Sequence, residues 1–173
     1  MTAISGAIFA AADFNQYVRD NLNETAVAKA TASGQYFVAT GTNALAARVL
    51  GAGTIATSQS TTSTTYTDLA TVGPNTTVDT GTLALVMVSA AVSNGTGAAS
   101  SFMSYAVSGV TTVAAVTTRA LRVDGIAGGN IIRATSVSTV PLTPGSNTFT
   151  AKYAVGAGST GTFSDRSMQV IPF

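Results

Sequence analysis

The sequence predicts a mainly β protein: a jelly-roll-like antiparallel β-sandwich with a short N-terminal α-helical arm and a small hairpin. Three observations predict it. Residues 82–92, TLALVMVSAAV, hold no charge, glycine or proline, and no 3.6-residue stripe divides them into a wet and a dry side. From residue 64 onward, short stretches rich in Val, Thr and aromatics alternate with Gly, Pro, Asn and Asp turn signals, the pattern of an all-β domain. Helical periodicity is convincing in one stretch alone, residues 10–24.

That stretch, AAADFNQYVRDNLNE, sets Phe14, Tyr17, Val18 and Leu22 at i, i+3, i+4 and i+8, one apolar stripe with Arg19, Asp20 and Asn23 off it. Asp13 favours the positive end of the helix dipole, whereas Ala10 at the cap position has no side-chain acceptor. The stripe packs either on the chain's own body or on another protein as an anchor. Residues 25–34 read as a linker or helix tail ending at Gly34. QYFVATGTNALAARVL then alternates about a turn at Gly41, Thr42 and Asn43, a short hairpin, with a helical turn over ALAARVL as the alternative.

Gly51, Ala52, Gly53 and the run TSQSTTSTT at 57–65 form a polar connector, which divides an arm, 1–56, from a β head, 57–173. Strands are expected at 65–69, 76–79, 82–92, 101–107, 111–117, 120–123, 131–140, 147–155 and 162–171. With allowance for a merged or lost segment, this is the eight-strand count of a jelly roll. The uninterrupted apolar run 82–92 is expected at the centre, buried on both faces. In 101–107, Met103, Tyr105 and Val107 share a face, as do Phe149, Ala151, Tyr153 and Val155 in 147–155.

Composition narrows function. Charged residues make up 9% of the 173 residues and the net charge is +1, so there is no electrostatic case for nucleic acid, and so little charge implies a surface partly covered by other copies. No window reaches the roughly 18 apolar residues of a membrane-spanning helix. The absence of Cys and His removes disulfides, a thiolate nucleophile, the commonest general base and the commonest metal ligands. The opening MTAISGAIFAAADFNQY lacks a basic segment before its apolar run, so assembly in a cytoplasm is expected.

Asp79 and Asp124 stand beside glycines in turn contexts, where Asp is favoured for its own backbone hydrogen bonds. Asp68 lies within a strand and Asp165 beside Arg166, which suggests ion pairs. Arg119, Arg122 and Arg133 either bind an anionic glycan or pair with Asp124 or Asp165 across strands or subunits, and pairing is favoured. No catalytic, cofactor or metal site is expected. Any binding falls to the Gly-rich loops 93–99, 124–130 and 156–161.

The segment ADFNQYVRDNLNETAVAKA followed by GQYFVATGTNALAARVLGAGT resembles the N-terminal part of small tail and fibre-type proteins encoded by phages and prophages of actinobacteria. The matching residues are Phe14, Asn15, Tyr17, Val18, Arg19, Asp20 and Asn21, then Val38 to Gly41, Asn43 and Ala44. The body is similar through STTYTDLATVGP, TRALRVDG and GSNTFTAKY; Ala10 departs, since relatives often carry Thr there. The resemblance implies a virion structural protein and a homotrimer, with Phe14, Tyr17, Val18 and Leu22 docking on other tail or capsid proteins. The β head would then face the host surface and its glycans. Tyr105, Phe149 and Tyr153 are the expected anchors of the trimer interface. Competing readings are a capsid decoration or head-fibre protein, a glycan-processing enzyme using Asp79 and Asp124, and a bacterial surface or sheath protein.

Overall fold

The computed structural model describes residues 10–23, 25, 29–96, 99–124 and 130–173. The chain divides into two compact units, Met1–Arg48 and Val49–Phe173.

In the first unit, α1 (Ala11–Phe14) runs through a π-helical turn (Asn15–Arg19) into α2 (Asp20–Asn23). Ala10 makes no side-chain cap, as its methyl group dictates. β1 (Tyr36–Gly41) and β2 (Ala44–Arg48) pair antiparallel from Tyr36 with Arg48 to Gly41 with Ala44. Asn43 sits at φ +56 in the turn, a left-handed conformation that Asn tolerates better than most residues. The hairpin is therefore formed, and ALAAR is strand, not helix.

The second unit contains β3 (Gly51–Ile55), β4 (Gln59–Thr61), β5 (Asn75–Thr80), β6 (Leu83–Asn94), β7 (Ser100–Gly109), β8 (Leu121–Asp124), β9 (Ile132–Pro141), β10 (Gly145–Val155) and β11 (Gly161–Pro172). One sheet has the order β3-β11-β6-β9, with β4 also on β11, and the other β5-β10-β7-β8. Setting β4 aside and numbering the other eight in chain order turns these into 1-8-3-6 and 2-7-4-5. The pairs 1-8, 2-7, 3-6 and 4-5 are nested, so the body is one long antiparallel hairpin rolled into two facing sheets. That is a jelly roll.

The core lies between the sheets. Along β6, Ala84, Val86, Val88, Ala90 and Val92 are all buried, and Phe149, Ala151, Tyr153 and Val155 of β10 meet them from the other side with Met103, Tyr105 and Val107 of β7. Tyr105 and Phe149 lie 6.2 Å apart by ring centroid, and Tyr153 and Phe163 lie 4.9 Å apart, distances typical of tilted aromatic pairs.

Four expectations change. β6 is an inner strand of its sheet but not covered equally on both faces: Leu85, Met87 and Ala91 are only half-buried. Residues 57–65 are not a connector, because β4 pairs with β11 and the Ser63 carbonyl accepts from the Val155 N–H. With β3 in the sheet as well, the body begins at Val49, not at residue 57. Stretches 65–69 and 111–117 form single bridges, Thr67 to Tyr153 and Val113 to Val107, in place of strands.

Two local devices make the roll close. A Cβ on Gly53 would come within 2.5 Å of the Asn75 carbonyl oxygen, and one on Gly51 within 2.7 Å of Val78 Cγ1; glycines on β3 let it lie against β5 of the facing sheet. On β11, Ser164 pairs with Ala91 and Ser167 with Ser89, so Asp165 and Arg166 together oppose Ala90 in a β-bulge. The extra residue reverses the alternation. Phe163 before it and Met168 and Val170 after it all reach the core, which a regular strand could not achieve.

Candidate assembly surfaces

On the helical segment, Phe14, Tyr17 and Leu22 are 48%, 43% and 60% exposed, and Val18 is half-buried. The π-helical turn spreads the stripe, since its wider turn no longer matches a 3.6-residue period. Arg19 and Asp20 pair at 2.9 Å beside it, and Asn21 donates to the Tyr17 carbonyl. Within this unit, Asn21 and Thr25 share a hollow of about 450 Å³ with Ala39, Asn43, Ala44 and Leu45 of the hairpin. The face is apolar at the aromatics and hydrogen-bonding at its margin.

Tyr105, Phe149 and Tyr153, expected as interface anchors, are each 0% exposed in the single chain. They cannot touch another copy. Burial raises the Tyr105 hydroxyl's pKa against the opposing effects of the Ser138 hydrogen bond and Arg119. Burial also pushes Tyr153 up to about 12, opposed by Arg166. The Tyr153 hydroxyl donates to the Gly73 carbonyl at 2.8 Å.

Beside it lies a residue that sequence reasoning misplaced. Arg166 is fully buried, its guanidinium 5.5 Å from the Tyr153 ring centroid and donating to the carbonyls of Gly73 and Thr57 and to Gln59 Oε1. It ties the segment 57–73 to β11, and its acceptors are all neutral oxygens. The bulge turns Arg166 inward and Asp165 outward. The phase break between Phe163 and Met168 was the signal available in the sequence.

The carboxylates do not assemble a catalytic pair. Asp79 is on β5 and Asp124 on β8, the opposite edges of a four-stranded sheet, hence about 14 Å apart across the strands alone, against roughly 5–9.5 Å for a glycosidase pair. Asp124 pairs with Arg122 at 2.7 Å, and hydrogen bonds from Arg122 and Ser100 hold its carboxyl below the usual range. Asp68 binds Lys152 at 2.8 Å. Arg119 packs 5.3 Å from the Tyr105 ring centroid. Among the described residues no cluster could hold a metal ion, and no helix is long and apolar enough to cross a membrane.

The described flanks of the three Gly-rich loops converge at one end of the body. Gly95 N–H donates to Thr160 and Gly156 N–H to Ser100; Ser100 pairs with Asp124, where the third loop begins. Buried Asn94 donates to Ser101 Oγ and Ser159 Oγ and accepts from the Thr96 N–H. Residues 97–98 and 125–129 of these loops lie outside the described residues.

The outer face of the β3-β11-β6-β9 sheet is the remaining broad surface. Its register lays down rows: Val137, Met87, Gln169; then Thr139, Leu85, Ile171; then Pro141 and Leu83, with Phe173 beside them through its N–H to the Leu83 carbonyl. Leu83, Val137 and Phe173 are 37%, 56% and 43% exposed. Toward the loop end the rows turn polar, Thr135, Ser89, Ser167 and then Arg133, Ala91, Ser164. There Arg133 and Asp165 line one hollow of about 220 Å³ with Thr54, Ala56 and Ser167.

No protein-family model matches this chain, and no curated protein does. Among solved structures, the chain is similar to Eiger TNF from S. frugiperda, at 10% identity and a TM-score of 0.47, over 73% of this chain and 92% of that one. It is also similar to a chain of infectious bursal disease virus Gx strain, at 13% identity and a TM-score of 0.49, over 77% of this chain. It spans 36% of the length of that viral chain. The jelly-roll assignment rests on the strand order itself.

Proposed function

We propose that this chain is a non-enzymatic phage virion structural protein of the tail-associated or fibre type. The helical unit docks on neighbouring tail proteins, and the jelly-roll body is displayed as a homotrimer. The observation that carries this reading is the exposed Phe14, Tyr17 and Leu22 stripe, on a unit distinct from a body that already owns a complete core. Large apolar side chains gathered on an exposed helix fit a partner's groove better than water. The sequence resemblance supports the same assignment. The three Gly-rich loops, whose described flanks converge, suit contact with host-surface glycans, since loops held on a rigid base are where binding residues concentrate.

The test substitutes Phe14, Tyr17 and Leu22 together by Ser in the full chain. Incorporation into virions is expected to fall at least about tenfold, given that apolar anchors dominate such docking, while the thermal transition of the body stays put. Normal incorporation of the triple variant refutes the anchor. A capsid decoration or head-fibre protein is the alternative reading, and it would use the same anchor. Immunogold labelling of the virion separates tail from head.

A further inference from the structure

We propose that the outer face of the β3-β11-β6-β9 sheet is where copies of this chain meet, around a cyclic axis running alongside β6. The face is the one broad sheet surface, among the described residues, that is largely apolar over the half away from the loops. Leu83, Leu85, Met87, Val137, Ile171 and Phe173 occupy adjacent register positions on three strands. The opposite outer face, on β5-β10-β7-β8, instead presents hydroxyls such as the Thr77–Thr148 pair at 2.8 Å and the Lys152–Asp68 and Arg122–Asp124 ion pairs. A solvated sheet face takes that second composition, and a covered one takes the first.

Charge identifies the occupant as a second copy. Within these four strands the face carries two charged residues, Arg133 and Asp165. They are opposite in sign and border the same hollow, yet neither forms an ion pair among the described residues. They stand on opposite sides of β6, Arg133 on β9 and Asp165 on β11. Rotation about an axis alongside β6 brings the β9 side of one copy against the β11 side of the next. Arg133 then meets Asp165 of its neighbour at one level, while the apolar rows close against one another at the other. The face thus carries its own complement. With 12 residues in β6, 12 in β11, 10 in β9 and 5 in β3, strands about 4.8 Å apart present on the order of 600 Å² before side-chain relief is counted. That is comparable to the roughly 800 Å² each partner contributes to a standard interface.

Self-association is measured on the purified full-length chain, so the proposal stands or falls independently of any virion. Sedimentation at micromolar concentration is expected to give an integer multiple of the chain mass. Val137→Asp, at an exposed position, is expected to yield monomers with an unchanged circular dichroism spectrum. Arg133→Glu sets like charges against Asp165 of the next copy and is expected to weaken assembly at least about tenfold. Adding Asp165→Asn, which keeps a residue suited to φ +46, is expected to recover most of that loss. Thr77→Asp, on the opposite outer face, is expected to change nothing. A monomeric wild type overturns the proposal and gives the face to a different protein. So does an assembly that survives Val137→Asp, or one that Thr77→Asp dissolves. Dissociation by Val137→Asp with no response to Arg133→Glu overturns the axis alongside β6.

Discussion

Tyr153 shows how much a single side chain can carry in a body with few charges. Its ring fills the core, its hydroxyl donates to Gly73, and Arg166 lies over its face. Because folding raises its pKa from the ordinary 10 to about 12, the unfolded chain releases this proton before the folded one does. Stability from this group is therefore complete below pH 10 and is lost as pH rises from 10 toward 12. A shift of this size corresponds to roughly 2–3 kcal/mol. Urea unfolding across that range should show stability falling with pH, and Tyr153→Phe should flatten the slope, leaving the share owed to Tyr36, Tyr66 and Tyr105, which burial also raises. An unchanged slope in the variant would contradict the assignment. None of this could be read from the residue alone. The alternation of NTFTAKYAV put Phe149 and Tyr153 on one face but could not say whether that face met the chain's own core or another copy. Arg166 was hidden for a different reason: neighbours along a strand ordinarily point apart, and Asp165 beside it suggested a surface ion pair.

At the scale of elements, turn chemistry was legible and polar strands were not. Asn43 in its left-handed turn, the Asp79 to Gly81 break before β6 and the Pro141 to Gly145 break after β9 each fall where the sequence placed a boundary. β4 is wholly polar and lacks apolar alternation, so nothing marked it as a strand, while the 65–69 stretch, expected as a strand, joins the sheet through the Thr67–Tyr153 bridge alone. Their backbone groups find partners on β10 and β11 all the same. β3 was misread because two of its five residues are glycine, ordinarily a loop signature. Here the glycines mark close approach between sheets. Gly53→Ala should accordingly cost roughly 1–3 kcal/mol, since the new methyl would press on backbone that cannot rotate away. A urea midpoint equal to the wild type would show that β3 and β5 can separate freely.

The chain folds as two compact units. Among the described residues, the Val49–Phe173 body holds every member of the hydrophobic core, so removing residues 1–48 should leave its cooperative thermal transition within a few degrees while abolishing the proposed docking. Loss of the transition would mean that the body needs the N-terminal unit to fold. The all-β class was legible because apolar runs and turn signals are local properties. The sheet order was not, because nested pairing joins β3 to β11 across more than a hundred residues and no short window carries that information. Nor was the outer face of the β3-β11-β6-β9 sheet, since its apolar rows exist only once three distant strands lie in register.

The pairing of Gly51 with Val170 has an engineering consequence. Entry to the body and exit from it are one strand spacing apart, about 4.8 Å, and both lie at the end away from the turn at residues 156–160. A domain with adjoining termini can be spliced into a host protein's surface loop as a cassette, or permuted by linking its old ends and opening new ones elsewhere. Peptides grafted between Gly156 and Gly161 would then stand at the far tip of that cassette, clear of the splice.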